Sequence, residues 1–278
     1  MSEKKLVIKP KGLFVILNKL KNREHGSLED VQTINSSFER LTFQNILPPS
    51  KNDFTRAEMV NCIQKIANHP DKTLPRIIFI MTHGNEDFLE DGEGAMFGIY
   101  EVLNHLSVVR QPALKDTFKM VVVLSCRGEN CPEIHFDATD DNNDFDQNKN
   151  LAVAFSCLKD KKSVRFDDGS PFIKVFCDVF VQEYTRLPVV DMFEEIKRRL
   201  TPYVKNNVKY ELIPEFNLHG LSEKFKTQPI CFSPIRRSER VLKRKGNFTN
   251  ASTSKIPKKP DSKSDKISKV WNLAEELE

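Results

Sequence analysis

The chain contains no long apolar run and few cysteines, and each of these absences excludes a class of protein. None of its apolar stretches approaches the roughly 18 residues that a membrane-spanning helix requires, so a spanning segment is excluded. Its first residues, MSEKKLVIKPKG, hold no apolar signal segment. Six cysteines in 278 residues without such a signal are typical of reduced thiols in the cytosol or nucleus, and we expect a cytoplasmic protein.

A surplus of basic charge is also absent from most of the chain. The net charge is +4, yet the stretch from Arg236 to the last residue alone holds 12 basic and 6 acidic residues. The body is therefore slightly acidic and does not suit nucleic-acid phosphates, which bind to a basic patch on the folded surface. We expect neither a nucleic acid nor a membrane as a partner. Residues 237–278 are interpreted as a basic, disordered tail, and the run at 236–245 has the alternative interpretation of a nuclear-import or acidic-partner segment.

Short apolar runs predict the strands of a buried sheet. Four of them are β-branched or aliphatic and flanked by polar residues, as parallel strands covered on both faces are: residues 13–17, 77–81, 120–124 and 151–155. Stretches of helical period fall between and after them, at residues 31–41, 56–67, 172–181 and 189–200. A late strand is expected at residues 230–232. Strands alternating with helices predict an α/β sheet with right-handed crossovers.

Two of the predicted strands end in residues that can carry chemistry. His83 and Gly84 follow the strand at 77–81, and Cys126 follows the strand at 120–124. Ligand sites of open α/β sheets collect beyond the carboxyl ends of strands, so the imidazole and the thiol are expected to face each other. Thiol hydrolases need this pair, and the N–H groups of Gly84 and Cys126 would form an oxyanion hole. Either residue alone is more often a packed core residue.

A metal site is not expected around this cysteine. Cys126, Cys131 and His135 have the spacing C-x4-C-x3-H without a fourth ligand, which matches no usual zinc site.

The surrounding sequence resembles a known family. The segment FKMVVVLSCRGE around Cys126 is similar to the active-site strand of caspases, whose signature is Gln-Ala-Cys-Arg-Gly with a histidine about 50 residues upstream. Here His83 lies 43 residues upstream. The resemblance covers about residues 11–236, through further matching segments at residues 11–18, 26–43, 79–84 and 151–184.

The resemblance implies a fold, a division of the chain and a set of catalytic roles. The expected fold is a six-stranded, mostly parallel sheet flanked by helices. It would consist of a large-subunit-like segment (11–136), an acidic linker (137–150) at the position where caspases are cut, and a small-subunit-like segment (151–236). Since only about ten residues precede the first strand, no recruitment prodomain is expected. Cys126 would be the nucleophile and His83 the general base, with Gly84 beside them and no cofactor.

The pocket for a substrate aspartate departs from the family pattern. Caspases build it from two arginines and a glutamine, and here only Arg165 matches its family position. Glu24 stands where the other arginine is expected, and Leu124 stands in place of the glutamine. A carboxylate there would repel an acidic side chain. A shift of the loop would bring the adjacent Arg23 into the pocket instead.

Two further departures concern specificity and assembly. Val164 stands where caspases commonly carry a tryptophan that lines the next subsite. The late strand that pairs two caspase protomers would contain Pro234, which lacks an N–H, and a pair of arginines at 236–237. These residues disfavour a homodimer.

Two hypotheses about function follow from these observations. The first, slightly favoured by Glu24, Leu124, Val164 and Pro234, is a caspase-like regulator of apoptosis with weak or no Asp-directed activity. Its partner would be a caspase or procaspase. The alternative is an active cysteine endopeptidase with altered specificity, which uses the Cys126–His83 dyad.

Overall fold

A computed structural model describes residues 9–47, 51–128, 148–218 and 220–230. Its strands, in chain order, are β1 (Gly12–Asn18), β2 (Phe43–Asn45), β3 (Arg76–Met81), β4 (Gly84–Asn85), β5 (Phe88–Glu90), β6 (Met96–Gly98), β7 (Lys119–Leu124), β8 (Leu151–Phe155), β9 (Tyr203–Lys205), β10 (Val208–Tyr210) and β11 (Glu215–Asn217). Its helices are α1 (Glu24–Arg40), α2 (Arg56–Ala67), α3 (Ile99–Asn104), α4 (Pro171–Glu183), α5 (Val189–Leu200) and α6 (Glu223–Thr227), with a 3-10 turn at Pro112–Leu114.

Six strands form the central sheet, in the order β11-β8-β7-β3-β1-β2. Neighbours are parallel, except that β11 runs antiparallel to β8. The sheet is therefore mostly parallel, and the predicted α/β fold class is confirmed. A three-stranded sheet, β4-β5-β6, follows β3 directly, and β9 and β10 form a hairpin.

Helices cover both faces of the central sheet, because alternate strand residues point to opposite sides. Along β1, Phe14 and Ile16 join the buried cluster that includes residues of α1, α4 and α5. Leu13 and Val15 join the cluster that includes residues of α2 and α3. The four long apolar strands are consequently buried along their whole length, as their sequences predict.

Phenylalanines dominate the first of these two clusters. Phe38 of α1 lies at its centre, with ring centroids 5.3 Å from Phe14, 5.2 Å from Phe79 and 6.0 Å from Phe180. Phe180 is also stacked on Phe176, at 4.4 Å. These contacts join helices α1 and α4 to the sheet, and they account for part of the high phenylalanine content of the chain.

The antiparallel edge strand differs from the predicted late strand. It is β11, at residues 215–217, whereas Ile230 lies in a bend at the end of the described chain. Cys231 and Phe232 lie outside the described residues, as do Pro234 and the arginine pair. The argument from that proline and those arginines therefore does not apply to the edge that β11 forms, and the absence of a homodimer stays a prediction.

Other predicted segments also fall where the structure gives no description. Residues 1–8, most of the acidic linker and the basic tail lie outside the described ranges, so their assignments stay predictions. Within those ranges, no helix combines the length and the apolar character needed to cross a membrane.

Candidate active site

The central sheet brings His83 and Cys126 to the same edge. In the register of β3 and β7, Met81 pairs with Leu124. The pairing continues one step further, because the N–H of Thr82 donates to the carbonyl of Leu124 at 3.1 Å. His83 and Cys126 each lie two residues beyond the paired strand ends, so they occupy equivalent positions on adjacent strands. This is the juxtaposition that the sequence predicts for a thiol and its base.

Gly84 lies directly against the segment that carries the cysteine. A Cβ at this position would lie 2.7 Å from the carbonyl oxygen of Phe88 and 3.0 Å from the Cβ of Ser125. Real Cβ atoms do not approach backbone that closely, so only glycine lets the chain after His83 pack beside the end of β7.

One backbone carbonyl fixes the orientation of the histidine ring. The Nε2 atom of His83 lies 3.3 Å from the carbonyl oxygen of Asn22. Because a carbonyl only accepts, Nε2 carries the proton and Nδ1 remains free to take another. Burial lowers the pKa of His83, and the positive charge of Arg23 lowers it further. This shift favours the neutral imidazole, which is the state that a general base requires.

Arg23 lies buried in this site, with only 4% of its surface exposed. Its Nη1 donates to the carbonyl of Lys19 at 3.2 Å. Burial lowers the pKa of Arg23 to about 9, the nearby charge of Arg165 adds to that effect, and Asp30 and Cys126 oppose it. The Arg23 guanidinium thus lies within electrostatic reach of Arg165 and of both predicted catalytic residues.

Glu24 lies at the surface, unlike the buried Arg23 beside it. It is exposed, and its carboxylate accepts a hydrogen bond from the N–H of Asn22 at 3.0 Å. The expectation that a carboxylate replaces a guanidinium in the pocket is therefore wrong for these side chains. The turn between β1 and α1 places the buried cation one residue earlier in the chain.

Two chain segments meet around this pocket. Gly26 has φ +71, and a Cβ there would lie 1.9 Å from the carbonyl oxygen of Phe166. Arg165 donates from Nε to the carbonyl of His25 at 2.7 Å. The carboxylate of Asp30 accepts from the N–H of Ser170 at 2.7 Å and from its hydroxyl at 2.6 Å. Burial raises the pKa of Asp30, and these bonds oppose the rise.

Leu124 and Val164 remain apolar at the positions where the family has polar or aromatic side chains. Leu124 is 2% exposed and belongs to the core cluster below the sheet edge. Val164 is half-buried and lines a cleft of about 280 Å³ between residues 156–164 and residues 211–213. Neither residue offers a hydrogen bond to a substrate.

Arg127 is a structural residue of the site to which the sequence analysis assigns no role. It is 3% exposed. The guanidinium donates to the carboxylates of Glu215 at 2.7 Å and Asp87 at 3.3 Å, and it stacks 4.0 Å from the ring centroid of Phe155. It therefore fixes the chain after Cys126 to the loop after Gly84 and to β11. The sequence did contain a signal for this role, because an arginine and a glycine follow the cysteine in the signature motif as they do here.

The described residues contain no group of three or more potential metal ligands. Cys131 and His135 lie outside the described ranges. Cys62, Cys126, Cys157 and Cys177 are free thiols, and of these four only Cys126 is not fully buried.

Comparison with known proteins places the chain in a family. The caspase domain family matches residues 11–226. The chain is 25% identical over 211 residues to caspase-14 of Homo sapiens, which covers 72% of this chain and 86% of that protein. It is 23% identical to caspase a of Danio rerio over 64% of this chain and 50% of the relative, and 26% identical to caspase b over 63% and 45%. It thus spans about half the length of the two fish proteins. This chain belongs to the caspase family of cysteine peptidases.

Proposed function

We propose that the chain is a cysteine endopeptidase that cleaves peptides after an acidic side chain. The observation that carries the proposal is the position of Arg23, which is buried within electrostatic reach of Arg165, His83 and Cys126. A dyad alone would support only a peptidase of undefined specificity. Two guanidinium groups, with Arg23 close to His83 and Cys126, would attract a substrate carboxylate to this site.

The electrostatics of the pocket favour an anionic ligand. Arg23 and Arg165 carry the same charge, and Arg165 lowers the pKa of Arg23. A substrate carboxylate near both groups would offset this effect and replace the water lost on burial of Arg23. Asp30 compensates only in part, because its carboxylate is already bonded to Ser170.

The reaction follows from the roles of the two strand-end residues. His83 takes the thiol proton of Cys126 at Nδ1, and the thiolate sulfur attacks the carbonyl carbon of the scissile bond. The N–H groups of Gly84 and Cys126 stabilise the oxyanion. The imidazolium then protonates the leaving amine, and a thioester remains on Cys126. Water, deprotonated by His83, attacks the thioester, which releases the carboxylic acid and restores the thiol.

A peptide library that varies the residue before the scissile bond tests this proposal. We expect turnover with aspartate or glutamate at that position, and its loss in Cys126→Ala. The asparagine peptide, which has the same shape as the aspartate peptide without its charge, is the matched control. Absence of turnover by the intact protein and by protein cut in the 137–146 loop would contradict the proposal.

The pH dependence provides a second test that links Arg23 to His83. Since burial and Arg23 lower the pKa of His83, we expect the acid limb of kcat/KM to lie below the ordinary histidine value of about 6.5. Arg23→Met removes a positive charge, so the acid limb should move to higher pH. An acid limb that stays in place would show that Arg23 does not act on the histidine.

A second candidate is the apoptosis regulator that binds a caspase or procaspase without efficient turnover. It is favoured by Leu124, which supplies no hydrogen bond to the pocket, and by the valine at position 164. Co-purification of a procaspase at equal yield with the parent chain and with Cys126→Ala, without peptide turnover, would support it. Peptide turnover that depends on Cys126 would reject the hypothesis that the chain is an inactive regulator. A role in cell death and a cytoplasmic location remain proposals for both candidates.

A further inference from the structure

An ion pair with a buried lysine and a partly exposed glutamate lies beside the candidate active site and is not part of the dyad or the pocket. Lys19 directly follows β1 and is 2% exposed. Its ammonium group donates to the carboxylate of Glu90 at 2.6 Å and to the carbonyl of Asp91 at 2.7 Å. A buried lysine is costly unless it is paired, so this arrangement has to be maintained by the surrounding fold.

Glu90 is tied to the chain at His83. Its N–H donates to the carbonyl of His83 at 2.9 Å, and its own carbonyl accepts from the hydroxyl of Thr82. Strand β5 ends at Glu90 and pairs with β4, which begins at Gly84. Thr82 and His83, which precede Gly84, are thus both hydrogen-bonded to Glu90, the residue that pairs with Lys19.

Lys19 is also bonded to the pocket and to the end of β3. Its N–H donates to the carbonyl of Met81 at 2.8 Å, and its carbonyl accepts from Arg23 at 3.2 Å. Lys19 therefore contacts Glu90, which holds the His83 segment, through its side chain, and it contacts Arg23 through its backbone.

We propose that Lys19, paired with Glu90, is a positioning residue that sets the place and the electrostatic environment of His83. This inference rests on the proposed function for its catalytic meaning. The charged groups that act on the imidazole are Arg23 and Lys19, which disfavour its protonation, and Glu90, which favours it. Cys126 lies two residues beyond the end of the adjacent strand β7, as His83 does beyond β3. Because Lys19 and Glu90 have opposite effects, removal of either one alone unbalances the pair.

The test is a histidine titration of the full chain by NMR, with His83 assigned from the His83→Asn variant. Lys19→Met leaves the Glu90 carboxylate unpaired, so the pKa of His83 should rise by about half a pH unit. Glu90→Gln keeps the shape of the side chain and leaves the ammonium unpaired, so the pKa should fall by a similar amount. The double variant should return close to the parent. Lys65→Met, which removes an exposed lysine on α2, is the control and should cause no change.

These outcomes separate positioning from a merely structural role. Shifts of the same sign in both single variants, or no shift in folded Glu90→Gln, would overturn the inference. Glu90→Gln decides the matter even if Lys19→Met does not fold. In peptide assays, Lys19→Met should lower kcat at least about tenfold with little change in KM. If the parent cleaves no peptide, the proposed function fails, while the titration still decides the inference about Lys19.

Discussion

At the scale of single residues, the backbone decides which side chain of the turn between β1 and α1 is buried. Asn22 has φ 62 and Gly26 has φ 71, so the chain turns sharply on both sides of Arg23. This turn buries the arginine and leaves Glu24 at the surface. Sequence alignment by position alone puts the glutamate in the pocket, because such alignment contains no information about these two backbone turns.

The adjacent residues should therefore respond very differently to substitution. Arg23→Met removes a buried guanidinium, and kcat/KM for a peptide with aspartate before the scissile bond should fall at least about 30-fold. Glu24→Gln changes only an exposed side chain and should alter kcat/KM less than about threefold. Steady-state kinetics of both purified variants check this. A larger loss in Glu24→Gln than in Arg23→Met would reverse the assignment.

At the scale of secondary-structure elements, the four buried strands and helices α2, α4 and α5 were predictable within one or two residues. Their apolar patterns are strong, because each strand is covered on both faces and each helix packs on one face. Strands β4, β5, β6, β9 and β10 have only two or three residues, which is too short for a periodic pattern. The edge strand β11 has half-buried residues throughout, so its sequence contains no apolar run.

The positions of His83 and Cys126 were predictable for the same reason, since both residues follow strong strands. The contacts of Lys19, Asn22 and Arg127 were not. Their contacts with Glu90, His83, Asp87 and Glu215 join residues 40 to 88 positions apart, and no local pattern in a sequence reports such pairs.

The start of α1 provides a prediction at this scale. Gly26→Ala would combine a positive φ with a Cβ 1.9 Å from the carbonyl of Phe166, so the free energy of unfolding should fall by more than about 3 kcal/mol. Gly94 also has positive φ, but the nearest atom to its Cβ would be the carboxylate of Glu90 at 3.5 Å. Gly94→Ala should therefore cost only about 1–2 kcal/mol. Urea unfolding measures both, and equal losses would show that the contact with Phe166 has no effect.

At the scale of the whole molecule, two buried cations lie at the start of β3 and β7, at the opposite end of these strands from the candidate site. Arg76 and Lys119 are paired in the register of β3 and β7, and both are fully buried. Lys119 donates to the carbonyl of Leu114 at 3.1 Å. Burial lowers the pKa of Lys119 to about 8, the charge of Arg76 adds to this, and Asp116 opposes it.

This pKa predicts a pH dependence of global stability. Between about pH 8 and the ordinary lysine value, the unfolded chain binds a proton that the folded chain has lost, so stability rises with pH. Relative to Lys119→Met, the parent should gain about 2 kcal/mol of unfolding free energy from pH 7.5 to 9.5. The buried cysteines titrate in both proteins and cancel in the difference. A difference that is constant with pH would show that Lys119 titrates normally in the fold.

The central claim is that Cys126 is a nucleophile beside a pocket for an acidic side chain. The most direct test is the intact mass of the protein after treatment with two peptide chloromethyl ketones that differ only in their last residue, aspartate or asparagine. The thiolate displaces chloride and forms a stable adduct. We expect one adduct on Cys126 with the aspartate reagent, at least about tenfold slower labelling with the asparagine reagent, and none in Cys126→Ala. Equal labelling rates with both reagents, or an adduct on another cysteine, would contradict the claim.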